Sequence, residues 1–338
     1  MTGNSSALNI QRSIFKAHDL KRLIQMRYGF IAGVHCRLIK AMTADTYHVW
    51  ADNGRYLLRV YRHNGRTYGQ ITAEMNLLNR LNAAGLCVPT PVTPKDSEMI
   101  VALDAPEGVR HAVLLRYIEG QPLSDAVTPQ IVGELGAVLA RLHQTLDTMT
   151  PSKDQPVFDR PVIGADVLLR HPLRELKLTG LLSQRARDLA YLHRVMSVLG
   201  TRMADLPAMP PQYGLIHGDV NLSNVVISND GRIGLIDFDM IGEGYRAYDL
   251  ASFLSDVHFH NLPEDFVTVL LNSYNAVRPV NDAEMNALPV FRAARSLWAM
   301  GQYAAHVDEW GSQSFDDALV DRHLDSIRAA MVEIQIGR

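Results

Sequence analysis

The sequence predicts an α+β protein with a small, β-rich N-terminal part and a larger, mainly helical C-terminal part. Three observations lead there. Short runs of strand-forming residues, broken by turn residues, occupy positions 36–62. From Pro129 onward, apolar residues recur at helical spacing. A third stretch, Leu215–Ile227 followed by Ile233–Asp239, reads as two apolar runs joined by the turn Asn229-Asp230-Gly231.

Taken in order, His18–Tyr28 reads as a short amphipathic helix carrying Leu20, Ile24 and Met26, stopped by Gly29. Candidate strands follow at Cys36–Met42, Thr46–Ala51 and Arg55–Arg62, the last two joined by Asp52-Asn53-Gly54. Alternation in the third strand places Leu57, Arg59 and Tyr61 on one face and Leu58 and Val60 on the other. A charge between Leu57 and Tyr61 calls for a partner or a ligand. Tyr68–Ala84 is a helix with Ile71, Met75, Leu77, Leu78 and Leu81 apolar and Gly85 as its stop. Pro89 and Pro91 break the chain before strands at Met99–Leu103 and His111–Tyr117. Pro129–Leu146 is a strong helix, Thr148–Gly164 a polar connection, and Val167–Leu178 and Ser183–Leu199 further helices. Pro207–Gln212 is the loop leading to the 215–239 stretch, and the chain finishes with helices at Pro263–Asn275, Asp282–His306 and Phe315–Ile334.

Composition narrows the function classes. Of 338 residues, 47% are hydrophobic and 20% charged, as in a soluble globular protein. A net charge of -3 argues against a nucleic-acid binder. Two cysteines, Cys36 and Cys87, make no disulfide framework and suit a reducing, cytoplasmic compartment. The polar start Met1–Leu8 lacks the basic and apolar regions of a signal peptide, and no apolar run reaches the length needed to span a bilayer. No membrane partner is expected.

Chemistry concentrates in His217-Gly218-Asp219 and in Asn224, four residues beyond, with Asp237 closing the second run. The hairpin turn would bring Asn224 and Asp237 to one end of a small sheet. Such a set resembles the aminoglycoside phosphotransferase, choline kinase and homoserine kinase-like family, which shares the protein-kinase-like fold. In that family the loop reads His-Gly-Asp, and here the metal motif is Asp237-Phe238-Asp239. The resemblance is specific over 215–251, moderate over 46–81 and slight after 255.

The resemblance implies a two-lobe fold, with residues 1–117 as N-lobe and 118–338 as C-lobe. It implies transfer of the ATP γ-phosphoryl group to a hydroxyl of a small molecule. Asp219 would take the hydroxyl proton, and Asn224 and Asp237 would hold Mg²⁺. Arg59 stands where most kinases carry Lys, as in some homoserine-kinase-like members, and would contact phosphate with Glu74 as its ion-pair partner. Lys40 is the alternative cation. The loop Met42–Thr46 lacks a glycine-rich pattern, so Thr43 and Thr46 are candidates to cover the phosphates, or else ordinary hairpin residues. Backbone groups of a linker at Arg116–Pro122, including Arg116, Tyr117 and Ile118, would meet the adenine edge. His217 and Asp249 read as braces of the catalytic loop, Asp249 as a carboxylate capping backbone donors near a helix N-terminus.

The acceptor region is the least legible. Asp256, Asp308 and Glu309 together with Trp298, Tyr303 and Trp310 would form an acidic, aromatic wall suited to a cationic acceptor. The plainer alternative is core aromatics and solvated acids. Rival functions on the same scaffold are a protein Ser/Thr kinase and a non-catalytic nucleotide-binding pseudokinase. A structural or interaction protein that keeps only the fold is a third.

Overall fold

The computed structural model describes residues 10–31, 33–149, 160–311 and 315–336. The chain forms two compact units, Met1–Glu119 and Gly120–Arg338.

The first unit is built on a five-stranded antiparallel sheet in the order β1-β2-β3-β5-β4. The strands are β1 (His35–Ala41), β2 (Ala44–Ala51), β3 (Gly54–Tyr61), β4 (Val101–Ala105) and β5 (Gly108–Arg116). Strand alternation divides its residues between two faces. Tyr47, Val49, Tyr56, Leu58, Val60, Ala112 and Leu114 form one buried cluster with Leu20 and Ile24 of helix α1 (Ala17–Tyr28). Thr46 pairs with Arg59, and Arg59 with Val113, so these three share the opposite face. Helix α2 (Tyr68–Ala83) begins in a capping box between Thr67 and Gln70 and buries Ile71, Glu74, Met75 and Leu78.

Several boundaries differ from the sequence expectation, among them those of the β1–β2 loop and of β5. The loop expected at Met42–Thr46 is only two residues long, because β2 begins at Ala44. The reason lies at Asp45, which looks like a loop residue but is fully buried and paired with Arg110 at 2.8 Å and Arg12 at 3.1 Å. Strand β5 begins at Gly108, three residues earlier than expected.

The second unit opens with β6 (Gly120–Pro122) and helix α3 (Pro129–Asp147), whose Thr128 cap and first-turn proline are a regular helix start. A π-helical turn at Asp166–Arg170 runs into α4 (His171–Leu178), and α5 (Ala186–Ala204) follows. Then come β7 (Tyr213–Ile216), β8 (Val225–Ser228), β9 (Ile233–Leu235) and β10 (Gly242–Tyr245). Strand β8 pairs with both β6 and β9, and β7 with β10, all antiparallel. Helices α6 (Arg246–Phe259), α7 (Asp265–Val277), α8 (Asp282–Ala305), α9 (Val307–Trp310) and α10 (Asp317–Ile336) complete the chain. Helix α8 is buried on most sides, from Ala287 to Ala304, and packs against α4, α5, α6 and α10. Most of the connection expected at Thr148–Gly164 lies outside the described residues. Among those residues, no helix is long and apolar enough to cross a membrane.

Candidate active site

Between β7 and β8 the chain makes a loop that only one residue type can begin. Gly218 has φ +81°, and a Cβ there would lie 2.5 Å from the Met240 carbonyl oxygen. The loop hangs on Asp249 of α6. Its Oδ2 accepts the His217 N–H at 2.8 Å, and its Oδ1 accepts the Gly218 N–H at 2.8 Å. The His143 Nε2–H of α3 donates to Oδ2 at 3.0 Å, while Tyr274 Oη lies 2.7 Å from His143 Nδ1. Asp249 therefore caps donors of the His-Gly-Asp loop rather than those of its own helix.

Burial pushes the His143 imidazole down to about 4, so at neutral pH it is an uncharged donor. Burial pushes the Asp249 carboxyl up, but the bonds from His143 and Gly218 outweigh it and leave the group lower than usual. His217 braces the other side of the loop. Its Nε2 lies 3.0 Å from the Ile236 carbonyl, its Nδ1 accepts the Asp219 N–H at 3.3 Å, and its ring packs on Phe238 at 4.4 Å.

Asp219 is the centre of the arrangement. Its Oδ1 accepts from Asn221 Nδ2 at 3.0 Å and from Arg295 Nη2 at 2.5 Å. Its Oδ2 accepts from Asn224 Nδ2 at 2.9 Å. Asn221 also caps the short turn Leu222–Asn224, accepting the N–H groups of Ser223 and Asn224. Asn221 and Arg295 were not singled out in the sequence. Asn221 looks like any loop asparagine. Arg295 carried a signal: with Arg292 it interrupts a largely apolar helical segment, Val290–Trp298, where a charge must be paired.

Asp237 lies next to Asn224, because the Ile236 N–H donates to the Asn224 carbonyl at 2.9 Å. Asp237 has φ +63° and ψ +63°, the left-handed region that non-glycine residues seldom adopt. Asn224 Nδ2 is committed to Asp219, so Asn224 Oδ1 and the Asp237 carboxylate would be the oxygen donors to a metal here. Among the described residues, no group of three or more His, Cys, Asp or Glu could hold a metal ion. A two-oxygen set fits Mg²⁺, which takes one or two side-chain oxygens and completes its shell with phosphate and water.

In the first unit, Arg59 Nη1 lies 3.7 Å from Glu74 Oε1, with both side chains buried. Its guanidinium sits over the Tyr61 ring at 5.4 Å. Thr46 is not a loop residue but the cross-strand neighbour of Arg59, while Thr43 lies in the β1–β2 connection. There the Met42 carbonyl is held by Arg62 Nε at 2.8 Å and by Arg12 Nη1 at 3.3 Å. The linker expectation needs a further correction. The Arg116 N–H is spent on the Thr90 carbonyl at 2.8 Å and the Tyr117 N–H on the Arg55 carbonyl at 3.1 Å. Neither amide is available to a base edge as the backbone stands, which narrows the expectation to the Ile118 amide and the backbone carbonyls.

The acidic, aromatic wall is not assembled as expected. Asp256 Oδ2 accepts the Leu222 N–H at 2.9 Å, so it braces the catalytic loop; burial pushes its carboxyl up. Trp298 faces a cation, but that cation is the protein's own Arg295, at 4.4 Å from the ring centroid. Trp310 stacks on His306 at 4.6 Å and meets Tyr303 edge-on at 5.8 Å, so these aromatics pack on one another. Asp308 lies in the first turn of the four-residue α9. Burial opposes the Arg295 charge, but Asp219, Tyr248 and Asp256 more than restore it, raising its affinity for the proton.

In the second unit, Asp219, Asn224 and Asp237 stand in one loop-and-hairpin stretch; in the first, Arg59 pairs with Glu74. Residues 35–287 match the model of the phosphotransferase enzyme family, and the chain belongs to that family. It is a kinase. A homoserine kinase of Parvibaculum lavamentivorans is 30% identical over 257 residues, covering 73% of this chain and 72% of that protein. Two solved structures share the fold. A microcompartment-associated aminopropanol kinase superposes with a TM-score of 0.72 at 21% identity, covering 93% of this chain and 95% of that one. An amicoumacin kinase in complex with AMP-PNP and Ca²⁺ superposes with a TM-score of 0.75 at 18% identity, covering 93% of each chain. The α+β architecture is thus the kinase-like one.

Proposed function

We propose that this chain moves the γ-phosphoryl group of ATP to a hydroxyl of a small, amine-bearing molecule: an amino alcohol, a hydroxy amino acid or an aminoglycoside. The observation that carries the reading is the Asp219 carboxylate, held at both oxygens by Asn221, Asn224 and Arg295. A carboxylate so fixed can orient an incoming hydroxyl and take its proton as the new O–P bond forms. Asn224 and Asp237 would hold Mg²⁺, which would offset phosphate charge. Arg59 gives the phosphates a cation whose position Glu74 secures. Thr43, in the β1–β2 connection, can donate a hydroxyl to phosphate.

The amine in the acceptor is supported by the relatives, which include kinases of homoserine and aminopropanol. A panel of hydroxylated amines, amino acids, aminoglycosides and neutral sugars, read by acceptor-dependent ADP release, tests the reading. Release above the acceptor-free rate with an amine-bearing alcohol supports it. A neutral sugar as the best acceptor would remove the amine while leaving the phosphotransfer.

A further inference from the structure

We infer that Arg295 is a positioning residue of phosphotransfer: seated over Trp298, its guanidinium holds the Asp219 carboxylate in the orientation that receives the acceptor hydroxyl. The inference rests on the reading of Asp219 as proton acceptor and goes beyond it, because nothing in the His-Gly-Asp loop itself supplies this contact.

The geometry distinguishes Arg295 from the other two donors. Asn221 and Asn224 belong to the same loop as Asp219, so their bonds to it are made within the loop. Arg295 lies 76 residues away, on the buried helix α8, and reaches Asp219 Oδ1 at 2.5 Å. Among the described residues it is the one hydrogen bond given to this carboxylate from a helix of the core. A side chain anchored on a rigid element holds a reacting group better than one on a loop.

Arg295 is itself fixed. Its guanidinium lies 4.4 Å from the centroid of Trp298, one turn further along α8. It also faces the buried Tyr248 of α6, which with Asp219 and Asp256 favours its charge. A second helix of the same unit, α6, steadies the loop through the Asp256–Leu222 bond at 2.9 Å.

The test is a double-mutant cycle read in kcat. Arg295→Met keeps an apolar stem and removes the charge. It should lower kcat about 100-fold, the scale of roughly a 1 Å misplacement at a reacting centre. Nucleotide Kd should change less than about twofold, because the lost interaction acts in turnover and not in binding. Arg295→Lys keeps the charge without the fork and should recover about tenfold of the loss. In the Asp219→Asn background, Arg295→Met should alter the residual rate by less than about threefold, since the group it acts through is gone. Equal factors in both backgrounds, or an unchanged kcat in Arg295→Met, would overturn the inference. If Arg295→Met does not fold, Arg295→Lys carries the same cycle. Near wild-type turnover by Asp219→Asn alone would instead overturn the reading on which the inference rests.

Discussion

Replacing Asp249 by Asn is the sharpest probe of how the catalytic loop is held. The carboxylate accepts three hydrogen bonds in a fully buried setting: two from the loop amides of His217 and Gly218, and one from His143. An Asn amide has one acceptor oxygen. If that oxygen takes the Oδ2 position, its NH₂ faces the Gly218 N–H. If it takes the Oδ1 position, the NH₂ faces the His217 N–H. Either way a buried loop amide meets a donor. One or two unsatisfied donors at about 1–3 kcal/mol each give a loss of about 1–6 kcal/mol. For a unit of this size, that is a fall in Tm of about 2–24 °C. Gly218 immediately precedes Asp219, so kcat should fall by about 100-fold as the loop shifts. Differential scanning calorimetry and steady-state kinetics on the same preparation read both effects. A Tm within a degree of wild type, with kcat intact, would refute the claim that this carboxylate holds the loop.

Other consequences can be checked independently. Asp237→Ala should weaken nucleotide binding in Mg²⁺ far more than in EDTA, by titration calorimetry; equal losses in both would make Asp237 structural. Arg59→Ala should raise the nucleotide KM about tenfold or more, with Arg59→Lys recovering part, because Lys keeps the charge but not the fork; an unchanged KM would move the phosphate contact to Lys40. Burial pushes both His143 and His323 down to about 4, below the usual histidine range. The unfolded chain therefore binds more protons between roughly pH 4 and 6.5, so stability is full above that window and falls through it on acidification, by up to about 3 kcal/mol per histidine. Asp256, pushed up by burial, works the other way, its contribution fading as pH rises. Urea unfolding at pH 7, 6 and 5 measures the net slope, which should flatten in His143→Gln; a flat wild-type profile would contradict it.

What could be read from the sequence was local. The His-Gly-Asp loop, the turn at Asn229–Gly231 and the Asp249 segment lie within about 35 residues and state their spacing directly. The hairpin geometry follows from that spacing: Gly231 takes φ +81°, and Ile236 closes on Asn224. Long-range partners were not legible. Asp45 read as a loop residue because its neutralising partner, Arg110, lies 65 residues away. Arg295 read as one helix residue among many because Asp219 is as far off in the other direction. Trp298 shows the limit of type-based inference. An aromatic face does invite a cation, but the sequence does not say whether that cation comes from a ligand or from the preceding helical turn.

The central claim is that Asp219 takes the acceptor proton during phosphotransfer. Its most direct test is single-turnover transfer from radiolabelled ATP to the best acceptor of the panel, comparing wild type with Asp219→Asn, alongside nucleotide Kd for both. The Asn side chain keeps the shape but cannot accept the proton. The rate should fall by about 100- to 10,000-fold, the usual contribution of general acid–base catalysis, with Kd nearly unchanged. A transfer rate within a few-fold of wild type would contradict the account.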